Sequence, residues 1–145
     1  MTDPNPDPDR IALGVRQPWA ELILRGIKTI EVRSQDTNVR GQIYLYASKR
    51  VADIEPADVA IQEHGLELDS LPLGRIVGTV DIVDSQLCRK KDAAASCVPQ
   101  PYLQDRYGWR LANPVRFADP WTVRFLPYGV WFYPFKRRTP SRRRS

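Results

Sequence analysis

The chain has no apolar run approaching the ~20 residues that a membrane-spanning helix needs, only two cysteines, Cys88 and Cys97, and a single histidine, His64. The first shortage excludes a helical span. With a polar, acidic, Pro-rich start (MTDPNPDPDR) that does not read as a signal peptide, it predicts a cytoplasmic protein that makes no use of a membrane. The second excludes the usual four-ligand structural zinc sites, which two thiols and one imidazole cannot fill without several carboxylates. No metal and no cofactor is expected, and the cysteines read as reduced thiols. The third excludes a two-histidine acid–base ribonuclease, and no spacing supports a Ser-His-Asp arrangement. His64 lies in an acidic stretch and is expected at the surface.

Charge is also scarcer than it looks. The formal net charge is +5, but residues 136–145 (KRRTPSRRRS) hold six basic groups and no acidic one, while residues 11–135 hold 15 Lys/Arg against 14 Asp/Glu. Bulk charge in the body therefore gives no argument for a polyanion partner. Its distribution does: residues 16–50 carry seven basic and three acidic groups, residues 51–85 one and eight, and residues 86–135 seven and three. If the first and third blocks meet, they make a local positive surface with the acidic block turned away.

What is present is material for one domain. At 145 residues and 42% hydrophobic content the chain is long enough for a single core. The expected organisation is a disordered leader over 1–10, a domain over 11–135 and a basic, disordered tail over 136–145. Ile11 to Val15 reads as a strand. A helix follows from Pro18 to Arg25, Pro18 suiting its first turn and Gly26 its left-handed close. Lys28 to Arg33 (KTIEVR) alternates as a half-buried strand with Glu31 and Arg33 on one face. Gln42 to Ser48 is a strand, Pro56 to His64 a helix, and Gly74 to Asp84 a strand in which Gly78 suggests a bulge or a close backbone approach. Residues 86–106 read as irregular to weakly helical, and strands are expected at Tyr107 to Leu111, Thr122 to Leu126 and Gly129 to Phe135. Short strands with two or three small helices predict an α+β domain on a strongly bent, closed sheet.

The run from Leu13 to Ser48 resembles the ASCH domain. Arg16-Gln17-Pro18-Trp19-Ala20 is similar to that family's Q-P-W-A helix start, and Gly26-Ile27-Lys28 with Glu31 and Arg33 to its G-x-K-x-x-E-x-R signature. Downstream, Gly74 to Asp84 resembles its G-x-V-x-V-D strand, and Tyr107-Gly108-Trp109 with Leu111, Asn113 and Pro114 its aromatic strand. The resemblance implies a PUA-like small bent β-barrel with a cleft between barrel and helix, a fold that serves more than one activity. Two departures stand out: Gln35 follows Arg33-Ser34 where relatives often carry Trp, and Glu31 stands where the amidohydrolase relatives carry Thr.

Read chemically, Lys28 can present an ammonium to a phosphate or base carbonyl, and Arg33 a planar fork for bidentate contacts. Glu31 either accepts hydrogen bonds from a base or pairs with these two cations. Trp19 and Trp109 are candidates to stack a base, whereas Trp121 and Trp131 are expected to fill the core. The expected nucleic-acid-binding set is Arg16, Gln17, Trp19, Lys28, Glu31, Arg33, Ser48, Lys49, Tyr107 and Trp109. The expected partner of this monomer is RNA, another single-stranded nucleic acid or a modified nucleoside. One alternative is a hydrolase, amidohydrolase-like or ribonucleolytic, with Lys28 and Glu31 as catalytic residues. Another is a coregulator-type interaction module whose tail docks an acidic partner.

Overall fold

The computed structural model describes residues 5–138. Its elements run β1 (Ala12–Val15), α1 (Trp19–Leu24), β2 (Ile30–Arg33), β3 (Gly41–Ala47), α2 (Glu55–Glu63), β4 (Arg75–Leu87), α3 (Ala93–Ser96), β5 (Tyr107–Trp121) and β6 (Trp131–Phe132). Short 3₁₀ turns lie at 68–70, 90–92 and 100–102. The strands form one six-stranded sheet in the order β2-β5-β4-β3-β1-β6. Among the described residues only β1 and β3 run parallel; the other pairings are antiparallel.

The sheet is bent, as the sequence predicts. Strands β2 and β6 occupy opposite ends of the order, yet Arg33 of β2 reaches the carbonyl of Gly14 in β1, and Trp109 of β5 stacks on Trp131 of β6. The sheet has therefore curled into a half-barrel whose seam is joined by side chains rather than by a backbone ladder. Inside the curl lies α1, every residue of which is buried. Its Leu22, Ile23 and Leu24 pack with Leu13, Val15, Leu45, Val80 and Ile82. Each such aliphatic side chain stabilises the fold by about 1.5–3 kcal/mol relative to leaving it in water. A smaller cluster covers the outer face of β3, where Tyr44 and Tyr46 pack with Ile76 and Phe132 under Phe117, Trp121 and Phe135. Asp7 N–H donates to the Tyr44 hydroxyl and Arg10 lies over that ring, so part of the acidic leader is seated on the body.

Gly78 marks a close approach: a Cβ there would lie 2.0 Å from the Val115 carbonyl oxygen and 2.9 Å from a Leu24 methyl. The β4–β5 register shifts beside it and again at Thr79/Asp81, where Val115 and Ala112 are the partners. The second shift takes Asn113, at φ 52°, and Pro114 out of the ladder. Bulges of this kind let a strand carry a proline and bend.

Three strand expectations need correction. The strand expected at Tyr107 to Leu111 continues to Trp121, because its prolines fall at register shifts. Thr122 to Leu126 is not a strand, and Gly129 to Phe135 contributes only Trp131 and Phe132. The tryptophans divide less sharply than expected: Trp121 and Trp131 are partly buried and pack against the two core clusters, but Trp19 and Trp109 are the more buried pair, at 8% and 3% exposure. Of the ends expected to be disordered, residues 5–10 and 136–138 are described, and residues 1–4 and 139–145 lie outside the described residues. Among the described residues no helix is long and apolar enough to cross a membrane, and no His, Cys, Asp and Glu group could hold a metal ion.

Candidate nucleic-acid interface

The turn after α1 aims the first cation inward. Gly26 closes the helix at φ +74°, and the amides of Ile27 and Lys28 both donate to the Leu22 carbonyl, which fixes the reversal. Lys28 is left 3% exposed, its Nζ donating to the Ser96 carbonyl at 2.6 Å and lying 5.0 Å from the centre of the Trp19 ring. Burial pushes its pKa below the ordinary lysine value, and the carboxylate of Glu31, 3.7 Å away, opposes that shift.

Glu31 and Arg33 share a face of β2 because side chains two apart on a strand point the same way. The Arg33 Nε donates to Glu31 Oε2 at 2.8 Å, and the second arm of its fork donates to the Gly14 carbonyl at 2.8 Å. The same guanidinium sits 5.6 Å from the Trp109 ring centre, and Trp109 is in turn stacked on Trp131 and donates its indole N–H to the Gln35 carbonyl at 3.0 Å. One planar fork thus serves a carboxylate, a carbonyl and an aromatic face, which a lysine could not do.

The parallel pairing of β1 and β3 delivers the rest. Val15 is in register with Ala47, so the two strands end side by side, and the residues that follow, Arg16 on one and Ser48, Lys49 and Arg50 on the other, emerge at the same edge. With Glu31, Arg33 and Trp19 they line an open cleft of about 720 Å³, within the ~300–1,000 Å³ range of small-molecule sites. Leu126, Pro127, Gly129 and Val130 form its other wall, and Asp53 and Ile54 lie along its rim. Arg16, Lys49 and Arg50 are exposed, and none of them is in an ion pair among the described residues.

The structure brings together Arg16, Trp19, Glu31, Arg33, Ser48 and Lys49. Lys28 lies behind Glu31, outside the cleft lining. Gln17 is turned inward at 1% exposure: its Oε1 accepts from the Glu21 amide, and its Nε2 donates to the Pro72 carbonyl. Trp109 supports Arg33 from below, and Tyr107 pairs with Arg33 across the β2–β5 ladder without lining the cleft. The charge blocks also combine differently from the expectation. The cleft's cations all come from residues 16–50, the third block supplies an apolar wall, and Asp53 of the acidic block shares the rim. Sequence reasoning missed Arg50, whose only signal was its place beside Lys49, and the segment Leu126 to Val130, which had none.

A second hollow of about 600 Å³ lies between α2 and residues 93–102. It is apolar, lined by Val59, Ala60, Val98 and Tyr102, with Glu55, Glu63 and His64 among its lining residues.

Comparison with known proteins is consistent with this geometry. The model of the ASCH domain family matches residues 13–121. Activating signal cointegrator 1 of Homo sapiens is 33% identical over 79 residues, 50% of this chain and 14% of that protein. The Mus musculus protein of the same name is 32% identical over 102 residues, 66% of this chain and 16% of that one. The chain thus spans less than a fifth of the curated relatives it matches. Among solved structures, ASCH from Zymomonas mobilis superimposes with a TM-score of 0.59 at 12% identity, covering 88% of each chain. A serine-to-alanine mutant of that Zymomonas mobilis protein gives 0.56 at 13% identity, covering 89% of this chain and 90% of that one. At such identity the likeness establishes the fold, an α+β curled small barrel.

Proposed function

This chain belongs to the ASCH domain family, and from that premise we propose that it is a monomer that binds RNA, another single-stranded nucleic acid or a modified nucleotide in the cleft beside Glu31. The observation that carries the reading is the grouping of Arg16, Lys49 and Arg50, exposed and without acidic partners among the described residues, at the mouth of a cleft floored by Glu31, Arg33 and the edge of Trp19. Cations so placed suit phosphates, while a carboxylate fixed by Arg33 suits the amino edge of a base. Arg33 itself is committed to Glu31 and Gly14, so it serves to position the carboxylate.

The test is salt dependence. Affinity for a single-stranded RNA is expected to fall with salt by roughly 0.7 log units per log unit for each phosphate held. The double variant Arg16→Ala/Lys49→Ala is expected to remove roughly 1.4 from that slope. An affinity indifferent to salt, or a slope unchanged in the variant, rules the cleft out as a phosphate site.

Hydrolysis is less well supported. A depressed lysine pKa suits a base, but Lys28 is 3% exposed and bound to the Ser96 carbonyl. Turnover of N4-acetylcytidine or of labelled RNA by the purified protein would overturn this preference. The coactivator-type relatives suggest an interaction module instead. The tail that this reading would use runs mostly beyond the described residues, and deleting residues 139–145, which keeps Arg137 and Arg138, separates it from the cleft.

A further inference from the structure

The wall opposite Glu31 continues outward into a group of arginines. Arg124 and Arg137 each lie with the guanidinium 5.7 Å from the centre of the Phe125 ring, and Arg138 lies 4.5 Å from that of Tyr128. All three are exposed, and none is in an ion pair among the described residues. Their aromatic supports are anchored. The amides of Arg124 and Phe125 both donate to the Pro134 carbonyl at 3.0 Å, and the Tyr128 hydroxyl accepts from the Tyr133 amide at 3.2 Å. Directly after Arg124 and Phe125 in the chain come Leu126, Pro127, Gly129 and Val130 of the cleft wall, and Leu126 and Tyr128 are 66% and 43% exposed.

Two guanidiniums that share one ring, Arg124 and Arg137 on Phe125, repel each other unless an anion lies beside them. Stacking on aromatic rings holds a guanidinium in place while leaving its N–H groups free for a phosphate. Resting on the reading of the cleft given above, we propose that the Arg124–Arg137–Arg138 rim is a second contact zone for the phosphates flanking the nucleotide in the cleft, so that the ligand is a single-stranded polynucleotide rather than a free nucleotide. A mononucleotide held by the cleft has no further phosphate to offer these arginines; a strand running on past Leu126 does. The charge pattern favours this direction, because the hollow beside α2 carries Glu55 and Glu63 and would repel a strand.

The experiment titrates intact protein with uridine 5′-monophosphate and with an oligouridine of about eight nucleotides, a length typical of single-strand sites. The oligonucleotide is expected to bind more tightly. In Arg137→Ala/Arg138→Ala its affinity is expected to drop roughly tenfold and its salt slope by roughly 1.4, with affinity for the monophosphate unchanged. Arg137→Lys/Arg138→Lys is expected to retain the slope. Equal affinity for the two ligands, no change for the oligonucleotide in the alanine variant, or an equal loss for both ligands would overturn the proposal while leaving the cleft standing. Binding of neither ligand by the intact protein would overturn the cleft reading and this one together.

Discussion

The ammonium of Lys28 lies 3.7 Å from Oε1 of Glu31, with the two side chains 3% and 7% exposed. Glu31 is therefore held between an inner cation shut away from water and an outer one, Arg33, that borders the cleft. This chain of charges sets the carboxylate in position before any ligand arrives, the usual condition for a polar group to discriminate.

Lys28 should titrate below its ordinary value of 10.5, because burial disfavours its charged form more than Glu31 restores it. Nζ-detected NMR titration is expected to show the depressed midpoint, and Glu31→Gln to lower it further. In the pH window between that midpoint and 10.5 the unfolded chain holds the proton that the folded chain has lost, so this group's contribution to stability rises with pH there. Lys28→Met should flatten that rise. A midpoint at 10.5 or above would contradict the burial.

Arg33→Lys retains the charge but loses the fork. Bonds to charged groups are worth about 1.5–3 kcal/mol, so the variant should lose stability of that order in urea unfolding. Its RNA affinity should fall as Glu31 loses its orientation. A midpoint matching that of the unsubstituted protein would show that the Glu31 and Gly14 contacts do not depend on a guanidinium.

Gly78→Ala should be among the most damaging single-methyl changes in the chain, since the new atom would meet the Val115 carbonyl at 2.0 Å. A cost at or above the ~1–3 kcal/mol typical of overpacking is expected. Gly129→Ala is the control: the nearest atom to its Cβ would be 3.7 Å away, so its unfolding midpoint should hardly move.

Glu21 predicts an acid limb. Burial raises its pKa, but the hydrogen bonds and charges of Arg116 and Arg25 outweigh burial and hold the carboxyl below 4.5. The stabilisation is present above 4.5 and is lost as pH falls through the depressed folded value. Arg116→Ala should lower stability at neutral pH by about 1 kcal/mol, a modest figure because water screens a half-exposed partner. It should also flatten the loss in acid. An unaltered stability–pH curve would assign the effect to Arg25 alone.

Much of this arrangement was legible in the sequence where the signal is local. The alternation of KTIEVR placed Glu31 and Arg33 on one face, Gly26 ended the helix, and Gly78 announced a close approach. Where the signal is tertiary it failed. Whether Trp109 or Trp131 is the more buried depends on which strand the curled sheet covers, and pattern alone does not say. The strand expected to end at Leu111 runs on past Pro114 and Pro120, because the register shifts at those points. The segment Leu126 to Val130 closes the cleft from far along the chain beyond Gly14, a separation at which no periodicity speaks.

The peptide units about Gly14 join both sides of the barrel's opening. Its carbonyl accepts from Arg33, and its amide donates to the Val130 carbonyl at 2.9 Å. A Cβ at this position would press on the Ser48 hydroxyl at 3.3 Å and stand 3.6 Å from the Val130 oxygen. The guanidinium and the apolar wall are therefore steered from a single α-carbon. A tilt of the backbone there would re-aim one and shift the other together, so the width of the entrance and the orientation of the carboxylate within are set jointly.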